Sequence, residues 1–180
     1  MACDLSAGRK EPCKDSVGGI KALYFMNYFA GLDTTDETTF DSDEIITGFN
    51  SAKTLYKYEV KGANSLEEAN ENSRENGTAF WTQTITAGLH KLSATDRKEL
   101  KLMAWGRPQI IVEDYNGNFL LCGIQNGCEV SVNPQTGAAM GDMSGYAISA
   151  VGTEKEPAFY VSASIIGDTT NTTVVTGTNS

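Results

Sequence analysis

Gln109-Ile110-Ile111-Val112-Glu113-Asp114, then Tyr115-Asn116-Gly117-Asn118, then Phe119-Leu120-Leu121-Cys122-Gly123-Ile124, is the stretch that decides the fold. Two apolar runs of strand length flank a turn built on Asn-Gly, the dipeptide that best tolerates the left-handed backbone of a tight hairpin. The stretch predicts a β-hairpin, and its neighbours on both sides extend the pattern.

Upstream, Ser93 opens an S-x-x-D capping box, and Asp96 places negative charge at the positive end of a helix. Leu92, Leu100, Met103 and Ala104 recur at helical spacing until Gly106 and Pro108 stop it. This is the one helix expected, with its apolar stripe, Trp105 included, laid on a sheet. Before it lies Ser65–Lys91. Thr78 to Leu89 alternates Phe80, Thr82, Thr84 and Thr86 with Trp81, Gln83, Ile85 and Ala87, and Glu75-Asn76-Gly77 carries a second Asn-Gly signal. A short helix over 66–72 competes. The favoured reading is a long, polar, protruding two-stranded hairpin that needs a partner, because it buries little within its own domain.

Further towards the N-terminus, Lys53–Lys61 alternates as a half-exposed strand, with Thr54, Tyr56, Tyr58 and Val60 on one face. Residues 29–51 are acidic and Thr-rich, with Asp33, Asp36, Glu37, Asp41, Asp43 and Glu44. They read as a long surface loop with a short strand at Ile45-Ile46. Ile20–Tyr28 is apolar on both faces, as in a strand covered on both sides. Residues 1–19 lack periodicity and read as an N-terminal arm.

Downstream, Cys128–Val132 and Tyr146–Thr153 alternate as strands, with a turn at Asn133-Pro134-Gln135-Thr136-Gly137. Ala158–Ile166 reads as a last strand, and 167–180 as a C-terminal tail, mobile unless a neighbour orders it. The expected fold is mostly β, a sandwich or small barrel of about eight strands in one domain over 20–166, with one flanking α-helix.

Composition narrows the function. Fourteen Lys and Arg against 23 Asp and Glu give a net charge of −9, the wrong sign for gripping nucleic acid. An acidic surface does suit a channel through which DNA must slide, although solubility alone also accounts for acidity. No apolar run reaches the ~20 residues of a membrane span. The first residues lack the basic and apolar regions of an export signal, so synthesis in a cytoplasm is expected.

Chemistry finds little purchase. Cys3, Cys13, Cys122 and Cys128 lack the close pairing of a zinc site, and reduced, half-buried thiols are the expectation. His90 is the single histidine and has no neighbouring carboxylate or cysteine. The glycine-rich Gly137–Gly145 stretch lacks the Lys-Ser/Thr ending of a phosphate loop. Asp33-Thr34-Thr35-Asp36-Glu37 lacks the glycine and terminal glutamate of a calcium loop. Glu67, Glu68 and Glu71 read as a solvated run rather than a catalytic pair. Asn76-Gly77-Thr78 and Asn171-Thr172-Thr173 match the glycosylation acceptor, which without export stays bare. No catalytic residue, cofactor or metal is expected.

Several soft motifs carry a likeness. They are Thr78-Ala79-Phe80-Trp81 through His90-Lys91-Leu92; Leu102–Pro108 leading into Ile110–Asp114; and Gly137–Tyr146 followed by Ala150–Glu154. The opening, Cys3-Asp4-Leu5, Cys13-Lys14-Asp15 and Gly18-Gly19-Ile20, adds to it. Together they cover roughly half of the chain, and on them it resembles the tail tube (major tail) proteins of long-tailed bacteriophages. The resemblance implies a structural virion protein made in the host bacterial cytoplasm and located in the virion tail. Six copies would form a ring whose inner sheets join into a barrel, and rings would stack into a tube conducting DNA. The implied partners are other copies of the chain and the terminator, tape measure and baseplate proteins, with DNA passing unbound. Under it, Glu67, Glu68 and Glu71 become candidate lumen-facing acids, and the hairpin and acidic loop become contacts to neighbouring subunits. No immunoglobulin-like module, which some relatives carry, is visible. Competing readings are a capsid decoration, head–tail connector or baseplate protein, and a carbohydrate- or ligand-binding sandwich using Trp81, Tyr56 and Tyr58.

Overall fold

Two apolar layers meet at the strand Ile20–Met26 (β1), where all residues but Lys21 are buried. Successive side chains of a strand point to opposite faces, so an uninterrupted apolar run demands cover on both sides. Ile20, Leu23 and Phe25 enter one core; Ala22, Tyr24 and Met26 enter another. The computed structural model describes residues 7–11, 13–168 and 170–177.

The remaining elements are β2 (Thr38–Phe40), β3 (Ile46–Phe49), β4 (Lys53–Glu59), β5 (Ser65–Ser73), β6 (Thr78–His90), α1 (Ala94–Trp105), β7 (Gln109–Asp114), β8 (Phe119–Cys122), β9 (Cys128–Gln135), β10 (Gly145–Glu154), β11 (Phe159–Val161), α2 (Ala163–Gly167) and β12 (Thr172–Thr176). They form an eight-stranded sheet, β12-β4-β1-β7-β8-β11-β3-β2, and a four-stranded sheet, β5-β6-β10-β9. The first core lies between the two sheets, with Ile85, Ala87, Val130, Ile148 and Ala150 from the smaller one and Leu100 from α1. The second fills the other side of the larger sheet, which curls around Leu32, Ile46, Phe49, Leu121 and Ile165. Asn171, just before β12, donates its amide to the Phe49 carbonyl of β3 at 2.8 Å, joining strands from opposite ends of that sheet. The mostly β architecture with a flanking helix is thus present, as a barrel-like sheet with a second sheet laid against it.

The deciding hairpin forms as read, β7 to β8, with Gly117 at φ +83° and the Asp114 carboxylate accepting the Asn116 and Asn118 backbone N–H groups. Asn116 also clasps Val17, exchanging hydrogen bonds of 2.9 and 2.8 Å, and so fixes the point where the exposed arm joins β1. The arm's residues 1–6 and 12 lie outside the described residues.

Several expectations change. Residues 29–51 are not a plain surface loop. Leu32, Thr38, Ile46 and Phe49 are buried, and β2 pairs with β3. The acids around them stay outside or find partners, Glu37 with Lys53 at 3.2 Å and Asp33 with Gln125 at 3.0 Å. Ala158–Ile166 is a short strand and a helical turn, because Ser162 caps α2 by accepting from Ser164 N–H. In the tail, the β-branched Thr172–Thr176 run pairs parallel with β4 as β12, while residues 178–180 lie outside the described residues. The chain does not turn at Asn133-Pro134, since β9 runs on to Gln135; proline is tolerated there because β9 is an edge strand.

Gln109 shows how tightly the two turns beside β7 are tied. Its side chain is fully buried, donates to the Phe29 and Ile124 carbonyls at 3.1 and 2.8 Å, and accepts from Phe29 N–H at 3.1 Å. Gln109→Ala leaves three backbone groups unpaired beside a cavity. It is expected to cost about 3 kcal/mol, read as a lower midpoint in chemical denaturation.

Candidate functional site

The four-stranded sheet has one face on the core and one face bare. Its register assigns every residue. On β6, Trp81, Gln83, Ile85, Ala87 and Leu89 face inward, opposite Glu154, Gly152, Ala150, Ile148 and Tyr146 of β10. The outward set is Thr78, Phe80, Thr82, Thr84, Thr86, Gly88 and His90 of β6, Gly145, Ala147, Ser149, Val151 and Thr153 of β10, and Glu129, Ser131, Asn133 and Gln135 of β9. On β5 it is Ser65, Glu67, Ala69, Glu71 and Ser73. The bare face is therefore mostly short Thr, Ser and Ala side chains, with Phe80 near the hairpin turn, Val151 on β10 and His90 at the end of β6. Its carboxylates are Glu67, Glu71 and Glu129, and the register places no Lys or Arg on it.

The three candidate acids do not share this face. Glu67 and Glu71 project outward, with Glu71 accepting from the Thr82 hydroxyl at 3.0 Å. Glu68 points the other way, opposite Gln83, and accepts from the Ala158 backbone N–H at 2.8 Å. Its carboxylate ties β5 to the chain entering β11. Sequence reasoning missed Glu129, whose alternation within Cys128–Val132 was visible but whose sheet neighbours were not.

The hairpin β5–β6 forms, though most of it belongs to the sheet. β10 covers β6 from Trp81 to His90, so only Thr78–Phe80 and their β5 partners Glu71–Ser73, with the turn, reach past it. Apolar inward residues on β6 explain the difference: Ile85 and Ala87 are as buried as any core side chain. The sheet's outer strands, β5 and β9, leave backbone groups along both edges; among the described residues the start of β9 is engaged, Cys128 N–H with the Pro108 carbonyl at 2.8 Å, and the end of α1 lies beside Glu129–Ser131.

A polar clasp holds the sheet to the barrel. Gln83, fully inside, accepts from Gly123 N–H at 2.9 Å. Beside it Glu154, 2% exposed, accepts from the Gln125 and Asn126 backbone N–H groups through Oε1, while its buried Oε2 has no hydrogen-bond partner among the described residues. Burial pushes the Glu154 pKa up, against the lowering effect of those two N–H groups. A carboxyl raised in the folded state stabilises fully below its unfolded pKa, and that contribution is lost as pH rises through the folded value. Glu154→Gln, which mimics the protonated form, is therefore expected to gain stability relative to the parent as pH is raised from about 4.5. Denaturation of both proteins across that range checks the sign.

The other singled-out residues disperse. Cys122 and Cys128 are fully buried, and burial pushes Cys128 up to about 12 and Cys122 well above its ordinary value; Cys13 is exposed elsewhere, and Cys3 lies outside the described residues. Among the described residues no three His, Cys, Asp or Glu side chains gather as a metal site. His90 ends β6 at the surface. Trp81 is inward on the small sheet, whereas Tyr56 and Tyr58 lie on β4 beneath α1, so the three form no common aromatic platform. Comparison with protein-family models, with curated proteins and with solved structures found no match.

Proposed function

We propose that this chain is a structural subunit whose four-stranded sheet joins those of other copies into the inner wall of a tube, as in a phage tail tube. The reading is carried by the bare sheet face, which is mostly polar and short-chained, carries no Lys or Arg, and is bounded by two edge strands. Within the sheet every neighbour is antiparallel, so β5 and β9 run in opposite directions. Setting β5 of one copy beside β9 of the next continues the same alternation without a break. Such a contact is head-to-tail, and repeated about an axis it closes into a ring and removes the exposed edges.

The chemistry of the face fits passage rather than binding. A protein holds DNA by replacing counterions with Lys and Arg; a wall that carries neither has nothing to replace them with. Glu67, Glu71 and Glu129 would face the lumen in this arrangement, and Glu68 would not. The stacked rings would belong to a virion tail, with the other tail proteins as partners.

Solution mass against concentration tests this. The proposal expects a step from the 19.3 kDa chain to a closed ring, six copies by the resemblance, followed by much larger stacks. A dimer or trimer that persists at all concentrations overturns it and favours a capsid or connector role.

A further inference from the structure

Asn-Gly occurs three times in this chain, at Asn76-Gly77, Asn116-Gly117 and Asn126-Gly127. All three asparagines are exposed, and the three glycines have φ of +61°, +83° and +75°. The pair is reactive as well as turn-forming. Glycine has no Cβ to shield its backbone nitrogen, which can attack the side-chain amide carbon of the preceding asparagine. The two atoms must first reach a near-attack geometry, so an asparagine held elsewhere is protected.

Hydrogen bonding separates the three sites. Asn116 Oδ1 accepts from Val17 N–H at 2.9 Å, while its Nδ2 donates to the Val17 carbonyl at 2.8 Å and to Asp114 Oδ2 at 3.3 Å. Asn126 Nδ2 donates to the Thr153 carbonyl at 2.8 Å. The nitrogen that would attack it, Gly127 N, already donates to the Gly123 carbonyl at 3.0 Å. Gly127 is also packed so closely that an added Cβ would stand 2.4 Å from the Arg107 carbonyl oxygen.

Asn76 differs. Its backbone N–H donates to Ser73 Oγ at 3.3 Å, but its side-chain amide makes no hydrogen bond among the described residues. A Cβ added at Gly77 would meet nothing within 4 Å, so the turn has room to rearrange. The site is the tip of the β5–β6 hairpin, in the part of the small sheet that reaches past β10.

We infer that Asn76 is a site of spontaneous deamidation, and that the fold protects Asn116 and Asn126 from the same reaction. The Gly77 nitrogen loses its proton and bonds to Asn76 Cγ. The Cγ–Nδ2 bond breaks, ammonia leaves, and a succinimide ring is closed. Water then opens the ring at either carbonyl, giving aspartate or isoaspartate with no change of oxidation state. One more negative charge stands at the hairpin tip of a chain whose net charge is already −9. In the isoaspartate product the backbone runs through Cβ, which lengthens the turn by one atom. This chemistry needs no assembly and stands apart from the tube reading.

Incubation of the purified chain at mildly alkaline pH, followed over time by digestion and tandem mass spectrometry, tests it. The mass gain of amide to acid is expected at Asn76 at least about tenfold faster than at Asn116 or Asn126, a ratio equal to about 1.4 kcal/mol of barrier. Equal rates, or a faster gain at either of the other two, overturn it. In guanidinium chloride concentrated enough to unfold the chain, the protection is removed and the three rates are expected to converge. A tenfold lead of Asn76 that persists in denaturant also overturns it, because neighbouring residues and not the fold would then set the order.

Discussion

Gly145→Ala is expected to cost the protein at least about 4 kcal/mol, a large part of the roughly 5–15 kcal/mol that keeps a domain folded. A Cβ at this position would stand 1.9 Å from the Leu89 carbonyl oxygen and 3.1 Å from His90 Cα, backbone atoms that cannot yield without parting β10 from β6. Gly145 opens the strand that holds the small sheet together, pairing with His90 on one side and Gln135 on the other. Gly141 supplies the control. Nothing lies within 4 Å of its added Cβ, and Gly141→Ala should stay within about 0.5 kcal/mol of the parent. Urea denaturation of the three proteins decides. Equal midpoints for Gly145→Ala and Gly141→Ala would mean that β6 and β10 do not pair in this register.

The second large effect concerns the bare sheet face. Reversing its charges with Glu67→Lys, Glu71→Lys and Glu129→Lys leaves the core untouched and lines the proposed lumen with cations. Assembled parent protein should not retain duplex DNA. The triple variant should retain a short linear duplex, with affinity falling steeply as salt rises, and should not retain a closed circle, which has no end to enter a tube. Retention of circular and linear DNA alike would place this face on an outer surface and remove the lumen assignment.

Local chemistry in this chain was legible where one residue dictates the backbone. Asn116-Gly117 announced its hairpin, Ser93 accepts from Asp96 N–H as its capping box required, and the two-sided apolar run of β1 is covered on both sides. What alternation cannot convey is which strands are neighbours. Glu67 and Glu68 are adjacent in sequence and therefore lie on opposite faces, but only pairing with β6 shows which face is bare. Glu129 joins the candidate face through β10, a strand that begins 16 residues later in the chain.

The misses share a cause, since composition reports polarity and not cover. Residues 29–51 look like solvent-facing chain because six acids and five threonines are spread through them, yet Leu32, Ile46 and Phe49 suffice to anchor them in the second core. Val174 and Val175 sit in a Thr-rich tail that reads as loose, and β4 offers them an edge to pair with. Trp105 erred the other way. Its size argued for burial, but at the end of α1 it lies away from the stripe of Leu100 and Met103 and stays exposed beside Glu129–Ser131 of β9.

Negative-stain electron microscopy of the purified protein at rising concentration tests the central claim most directly. Hollow rings that stack into tubes with a regular axial repeat are the predicted result. A closed oligomer without a central channel, or a monomer at every concentration, would contradict it.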